Sequence, residues 1–211
     1  MAILLIRHGE TAGNRERVLQ VPETPLNDQG LEQASKLAQR LASFRIARIL
    51  SSDLARAQMT ANAVSQEVGL PVELDPLLQE RNFGDLRGRR YVDLDEDPFG
   101  PTYSPPGGES WSTFHDRVDQ AWARVRSEAL KTPLDLAVVT HGLVLHSIVS
   151  RCLDLGSLLA EEQEGGLPLQ FRNTALTIVE PHAPWKVVLL GCAAHLDEDG
   201  VGEGGEGISG L

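Results

Sequence analysis

Apolar residues along this chain follow two rhythms. Short, mostly apolar runs at residues 3–6, 46–50, 72–74, 136–140, 175–179 and 186–190 have the length of strands, and strands covered on both faces need no alternation. Between them the apolar positions take a helical spacing. Leu31, Ala34, Leu37, Ala38 and Leu41 fall on one face, with Asn27 or Asp28 as the cap. Ala57, Ala61, Val64 and Val68 mark a second helix that Gly69 ends. Phe114, Val118, Ala121 and Val125 mark a long third one, and a fourth runs from the end of the 136–140 strand to about Leu155. Strands alternating with helices predict an α/β protein, a three-layer α/β/α sandwich around a mostly parallel central sheet.

Two stretches break the alternation. Residues 91–109 are rich in proline, aromatics and acids and read as a flap inserted in a single domain spanning 1–199. The tail 200–211 holds six glycines and two glutamates, a flexible composition.

Composition narrows the class. The chain has 211 residues, 41% hydrophobic and 23% charged, which suits one soluble domain. No apolar run approaches the roughly 20 residues that span a bilayer. The first run, residues 2–6, is too short for a signal-peptide core, so a cytoplasmic protein is expected. The net charge of −11 argues against nucleic acid and anionic membranes as general partners. A small anion would need a local group of arginines. Cys152 and Cys192 fit no metal or disulfide spacing and are expected as two core thiols.

The chemistry lies at the strand ends. "LLIRHGETAGN" at 4–14 and "LAVVTHG" at 136–142 each run from an apolar strand into His-Gly. In an open α/β sheet, ligands bind beyond the carboxyl ends of strands, at a switch in strand order. If these two strands are neighbours, His8 and His141 face one ligand, and Gly9 and Gly142 let it approach the backbone. A metal site is not expected: His141 and His146 are five residues apart, on different helix faces, with no carboxylate–histidine cluster beside them. "SSDLARAQMTA" at 51–61 places Arg56 at a helix start, off its apolar face. "LQERNFGDLRG" at 78–88 places Glu80 and Arg81 between regular elements.

Together, Arg7-His8-Gly9-Glu10-Thr11 with Asn14, "TPLNDQGLEQA", "SSDLARAQMTA", "ERNFGDLRG", "PGGES" and "VVTHG" resemble the histidine phosphatase superfamily, which includes the cofactor-dependent phosphoglycerate mutases. The motifs match in order from residue 5 to about 179. The resemblance implies that His8 accepts a phosphoryl group. It implies that Arg7, Arg56 and His141 surround the phosphate oxygens with help from Asn14, and that Glu80 donates the proton. It implies no cofactor and no metal. The chemistry of these residue types agrees. Arginine forks suit phosphoryl oxygens, a neutral imidazole is a nucleophile, and a carboxylic acid kept protonated can supply a leaving alkoxide. The family's acid phosphatases carry His-Asp at the second histidine. Here Gly142 follows His141, which favours Glu80 as the acid. Two positions depart from the family pattern: Val21 stands where glycine is common, and Arg87 where glutamate is common.

Mutases of the family carry basic residues in the segment after the "ERxYG"-like motif. Here residues 91–116 hold no lysine or arginine, while Asp93, Asp95, Glu96 and Asp97 would repel a second anionic group. The expected function is therefore hydrolysis of small phosphomonoesters, with a phosphoglycerate mutase as the alternative and a catalytically dead binding protein behind it. The expected partner is a small phosphorylated metabolite. A homodimer is left open. Tyr91, Phe99, Tyr103 and Trp111 are candidates for an apolar lid, and Arg87, Arg89 and Arg90 for contacts to a second phosphate; an ordinary surface loop and solvated charges are the alternatives.

Overall fold

The structure is a computed structural model and describes residues 1–156 and 171–197. The strands are β1 (Ile3–Arg7), β2 (Ile46–Ser51), β3 (Val72–Leu74), β4 (Asp135–Thr140), β5 (Leu176–Val179) and β6 (Val187–Cys192). They form one sheet in the order β3-β2-β4-β1-β5-β6. β1 to β4 run parallel, and β5 and β6 add an antiparallel edge. The helices are α1 (Ala12–Glu16), α2 (Asp28–Leu41), α3 (Ala55–Val68), α4 (Trp111–Ala129) and α5 (Gly142–Cys152).

The pleat explains the layers. Along β1, Leu4 and Ile6 face one side and pack in a cluster with Leu37 and Leu41 of α2 and Ala57, Ala61 and Val64 of α3. Ile3 and Leu5 face the other side and pack with Phe114, Val118 and Val125 of α4 and Leu145 and Ile148 of α5. β4 divides the same way, with Ala137 and Val139 against α2 and α3, and Leu136 and Val138 against α4 and α5. All eight of these strand residues are fully buried, which is why both runs are continuously apolar. The result is the expected three-layer α/β/α sandwich with a mostly parallel sheet.

Four local features differ from the expectation. Leu31, placed on the inner face of α2 by spacing, is 47% exposed. The polar Gln33 is buried instead, because its Oε1 accepts the Glu10 backbone N–H at 2.8 Å and so ties α2 to the loop after β1. The helix α5 ends at Cys152, short of Leu155; Asp154 instead bridges to Lys186. The short helix α1 has no apolar stripe to announce it. It exists through a capping box in which Thr11 and Asn14 exchange side-chain and backbone hydrogen bonds. The two cysteines are both half-buried rather than core thiols, and Cys192 Sγ accepts from Arg40 at 3.3 Å. The tail expected at 200–211 lies outside the described residues.

Candidate active site

The strand order decides the site. β1 and β4 are parallel neighbours with Arg7 opposite Thr140, so the residues that follow, His8 and His141, leave the sheet side by side. Their ring centroids are 5.1 Å apart. The His8 N–H donates to the Thr140 carbonyl at 3.0 Å, which continues the ladder one step into the site. β1 is also where strand direction changes, since β4 is parallel to it and β5 antiparallel.

Each ring is held by a defined partner. His8 Nδ1 lies 2.7 Å from the Gly9 carbonyl. A carbonyl only accepts, so Nδ1 carries the proton and Nε2 is left with its lone pair. Burial, then the charges of Arg56 and Arg7, push the His8 pKa well below 6.5, against the opposing effect of the Gly9 hydrogen bond. His141 Nε2 lies 2.8 Å from Ser52 Oγ. Its pKa is also pushed well below 6.5, by burial first and then by Arg56 and its other cationic neighbours.

Arg7 and Arg56 are both buried. Arg7 Nη1 donates to the Phe171 carbonyl, and Arg56 Nη1 to the Val21 carbonyl at 3.3 Å. These bonds orient the guanidinium groups and leave donors over. Arg7 Nε, Arg56 Nε and His141 Nδ1 are buried and have no hydrogen-bond partner. Desolvation lowers the pKa of Arg56 to about 10 and also pushes that of Arg7 down. Three orphaned buried nitrogens around one imidazole are costly unless an anion completes them.

Glu80 closes the pocket from the 76–82 segment. Its Oε1 accepts the Arg81 N–H at 2.9 Å and its Oε2 the Leu143 N–H at 3.1 Å. Burial raises its pKa, and the two hydrogen bonds and the charges of Arg56 and Arg7 only partly offset that. Gly142 keeps the centre open: a Cβ there would sit 3.7 Å from Arg7 Nε and 4.0 Å from Glu80 Oε2. Asn14 lines the same pocket. Its Oδ1 accepts the Thr11 N–H at 3.1 Å, so its amide nitrogen is the donor left for a ligand. Thus Arg7, His8, Asn14, Arg56, Glu80 and His141, drawn from five parts of the sequence, converge on one place.

Other residues support the site without carrying a motif that reads as chemistry. Arg81 is 2% exposed, and each of its three side-chain nitrogens donates to a carbonyl: Nε to Glu109 at 3.1 Å, Nη1 to Pro98 at 3.1 Å and Nη2 to Tyr103 at 2.6 Å. Its guanidinium also lies 3.9 Å from the Trp111 ring centroid. Arg117 pairs with Glu109 and donates to the carbonyls of Leu77, Gln79 and Glu80, which holds the backbone behind the Glu80 carboxyl. Gly9 N–H donates to Thr60 Oγ1 at 3.0 Å, and a Cβ on Gly9 would lie 2.6 Å from the Gly30 carbonyl oxygen. The signals for Arg81 and Glu109 were present as "ER" and "GGES", but only the fold shows that they bond to each other's segments.

The 91–109 segment divides its work. Tyr91 and Phe99 line the pocket and pack on Phe83, with centroids 5.2 Å (Tyr91–Phe99) and 5.6 Å (Phe83–Phe99) apart. Trp111 does not join them; it begins α4 and packs on Phe114 and His115. None of the acids lines the pocket. Asp93 pairs with Arg90, and Glu96 and Asp97 line a separate groove with Tyr103 and Pro106. Among the described residues no group of three His, Cys, Asp or Glu side chains is placed to hold a metal ion, and no helix is long and apolar enough to cross a membrane.

A central parallel sheet with two imidazoles and two arginines at its carboxyl edge is the arrangement the sequence motifs resemble. The chain belongs to the histidine phosphatase superfamily (branch 1), whose profile matches residues 3–191. Among its relatives is the protein named "Probable phosphoglycerate mutase GpmB" of Cronobacter sakazakii, 33% identical over 225 residues, covering 96% of this chain and 98% of that one. Among solved structures, the α-ribazole phosphatase of Shigella flexneri superposes with a TM-score of 0.74 at 28% identity, covering 92% of this chain and 97% of that one. The mycobacterial glucosyl-3-phosphoglycerate phosphatase, solved with VO3, superposes with a TM-score of 0.72 at 26% identity, covering 89% and 97%.

Proposed function

We propose that this protein hydrolyses small phosphomonoesters through a phosphohistidine on His8. The observation that carries the reading is the set of buried, unpartnered nitrogens, Arg7 Nε, Arg56 Nε and His141 Nδ1, around a histidine whose Nδ1 is already committed to the Gly9 carbonyl. Those donors fit the equatorial oxygens of a phosphoryl group in transfer. His8 Nε2 attacks phosphorus, the ester P–O bond breaks, and Glu80 gives its proton to the leaving oxygen. Water then attacks the phosphohistidine. Glu80 takes a proton from that water, the P–N bond breaks and phosphate leaves. The raised pKa of Glu80 suits the first step, and the lowered pKa of His8 keeps the nucleophile neutral.

Brief mixing with labelled substrate should leave acid-labile, base-stable label on the protein, and His8→Ala should carry none. Label of the same amount and stability in that variant would remove His8 from the mechanism.

A second reading, phosphoglycerate mutase, is favoured by the 33% identity to GpmB. Phosphatases among the solved neighbours favour hydrolysis. The acids of the 91–109 segment, expected to repel a second anion, do not bear on the choice, because none of them lines the pocket. With 3-phosphoglycerate and a bisphosphoglycerate primer, phosphate release should outpace formation of 2-phosphoglycerate.

A further inference from the structure

The three arginines of "RGRR" separate in the fold. Arg90 is exposed and pairs with Asp93 at 2.8 Å, and Arg89 is exposed and donates to the Asp93 carbonyl at 2.6 Å. Arg87 is different. It is half-buried and lines the same pocket as His8 and Glu80. Among the described residues its guanidinium has no hydrogen bond and no carboxylate partner.

Among the described residues nothing neutralises this cation. Among the described residues Glu80 is the one carboxylate lining the pocket, and both of its oxygens already accept backbone N–H groups. Arg87 also lies close enough to Arg56 to act against its charge. A half-buried arginine placed beside another arginine, and given no counter-ion, is an unfavourable arrangement until an anion arrives. The scissile phosphate has its own donors in Arg7, Arg56 and His141. The walls of the pocket that Arg87 shares with Arg7 and Arg56 also include the rings of Tyr91 and Phe99. We infer that Arg87 forms a second anion subsite, which selects phosphomonoesters whose leaving group carries a further carboxylate or phosphate on a body with an apolar face. This rests on the phosphomonoesterase reading of the pocket. The guanidinium can bind either anion as a planar fork.

Four probes test it: phenyl phosphate, its 3- and 4-carboxy derivatives, and 1,4-phenylene bisphosphate. Arg87→Ala should lower kcat/KM for the better carboxyphenyl ester, relative to phenyl phosphate, on the order of tenfold, the size of a lost charged hydrogen bond. Arg87→Lys should recover part of that ratio. Arg89→Ala removes the same charge from an exposed site and should leave the ratio alone, which separates a local contact from the general field. The bisphosphate arm tells whether phosphate serves as well as carboxylate. Calorimetric binding of benzylphosphonate and 4-carboxybenzylphosphonate repeats the comparison without turnover. Equal ratios in the wild type and Arg87→Ala, by turnover and by binding, would overturn the subsite while hydrolysis stood. Arg87-dependent binding of the carboxyphosphonate without hydrolysis of any ester would instead overturn the phosphatase reading and leave the subsite in place.

Discussion

Glu80 sits between opposing influences. Burial favours its neutral form, while two backbone N–H groups and two arginines favour the carboxylate; burial prevails and the pKa rises. A general acid must hold its proton, so kcat/KM for an alkyl phosphate should fall as pH rises through that raised value. On the acid side the profile should stay level past pH 6.5, because His8 remains neutral well below its ordinary range. Glu80→Gln should slow phosphorylation by an alkyl phosphate on the order of 10²–10⁴-fold, the usual size of acid catalysis, and remove the alkaline limb. A nitroaryl phosphate, which leaves without a proton, should lose far less in the same single-turnover step. Equal losses for both esters would make Glu80 a residue that shapes the pocket. The candidate residues themselves were legible in the sequence because each lies in a short motif: Arg7 and His8 at one strand end, His141 at another. Which ring nitrogen of His8 holds the proton was not legible, since that follows from the 2.7 Å contact with the Gly9 carbonyl.

At the scale of elements, Arg81 is the tie between the Glu80 segment and residues 91–109. One side chain satisfies the carbonyls of Pro98, Tyr103 and Glu109. Arg81→Leu keeps an apolar stem and removes the donors. Each carbonyl left buried and unpaired costs about 1–3 kcal/mol, more than a loop without regular structure recovers by staying docked. Limited proteolysis should therefore cut the variant within 91–109 at least about tenfold faster than the wild type, with fragments identified by mass. An unchanged cleavage pattern would show that aromatic packing of Phe83, Tyr91 and Phe99 suffices. The helical and strand elements were legible where burial alone set the pattern, as in α4, whose Phe114, Val118, Ala121 and Val125 are all fully buried. They were misjudged where a polar contact overrode it. Gln33 is buried in place of Leu31 because the loop after β1 needed an acceptor.

For the whole molecule, the two buried histidines link stability to pH. Their folded pKa values lie well below 6.5 and the unfolded value is about 6.5, so below pH 6.5 the unfolded chain binds more protons. Stability should therefore fall as pH drops from 6.5, by up to about 1.4 kcal/mol per pH unit for each histidine. Glu80 works the other way: its raised pKa makes the folded state hold a proton that the unfolded chain releases above about pH 4.3, which offsets part of the slope. His195, lowered to about 4 by burial and by Arg40 and Arg172, adds to the histidine effect. Urea midpoints measured from pH 7 to pH 5 should decline, and His141→Gln should flatten the decline by about one proton. A slope unchanged in that variant would mean that His141 charges without unfolding.

The order of apolar runs was enough to determine an α/β sandwich, because burial on both sheet faces demands continuous apolar strands and amphipathic covers. The motifs were enough to name the residues that gather at its carboxyl edge. What they did not contain was adjacency. That β4 inserts beside β1, that Arg81 reaches three carbonyls of another segment, and that Arg87 turns to the pocket while Arg89 and Arg90 turn to Asp93 are facts of three-dimensional packing. A charged side chain's partner is set by what folds next to it, and the residues in these contacts are separated by anything from three to more than a hundred positions. Spacing along the chain records which face a residue occupies, and the tertiary fold decides what that face meets.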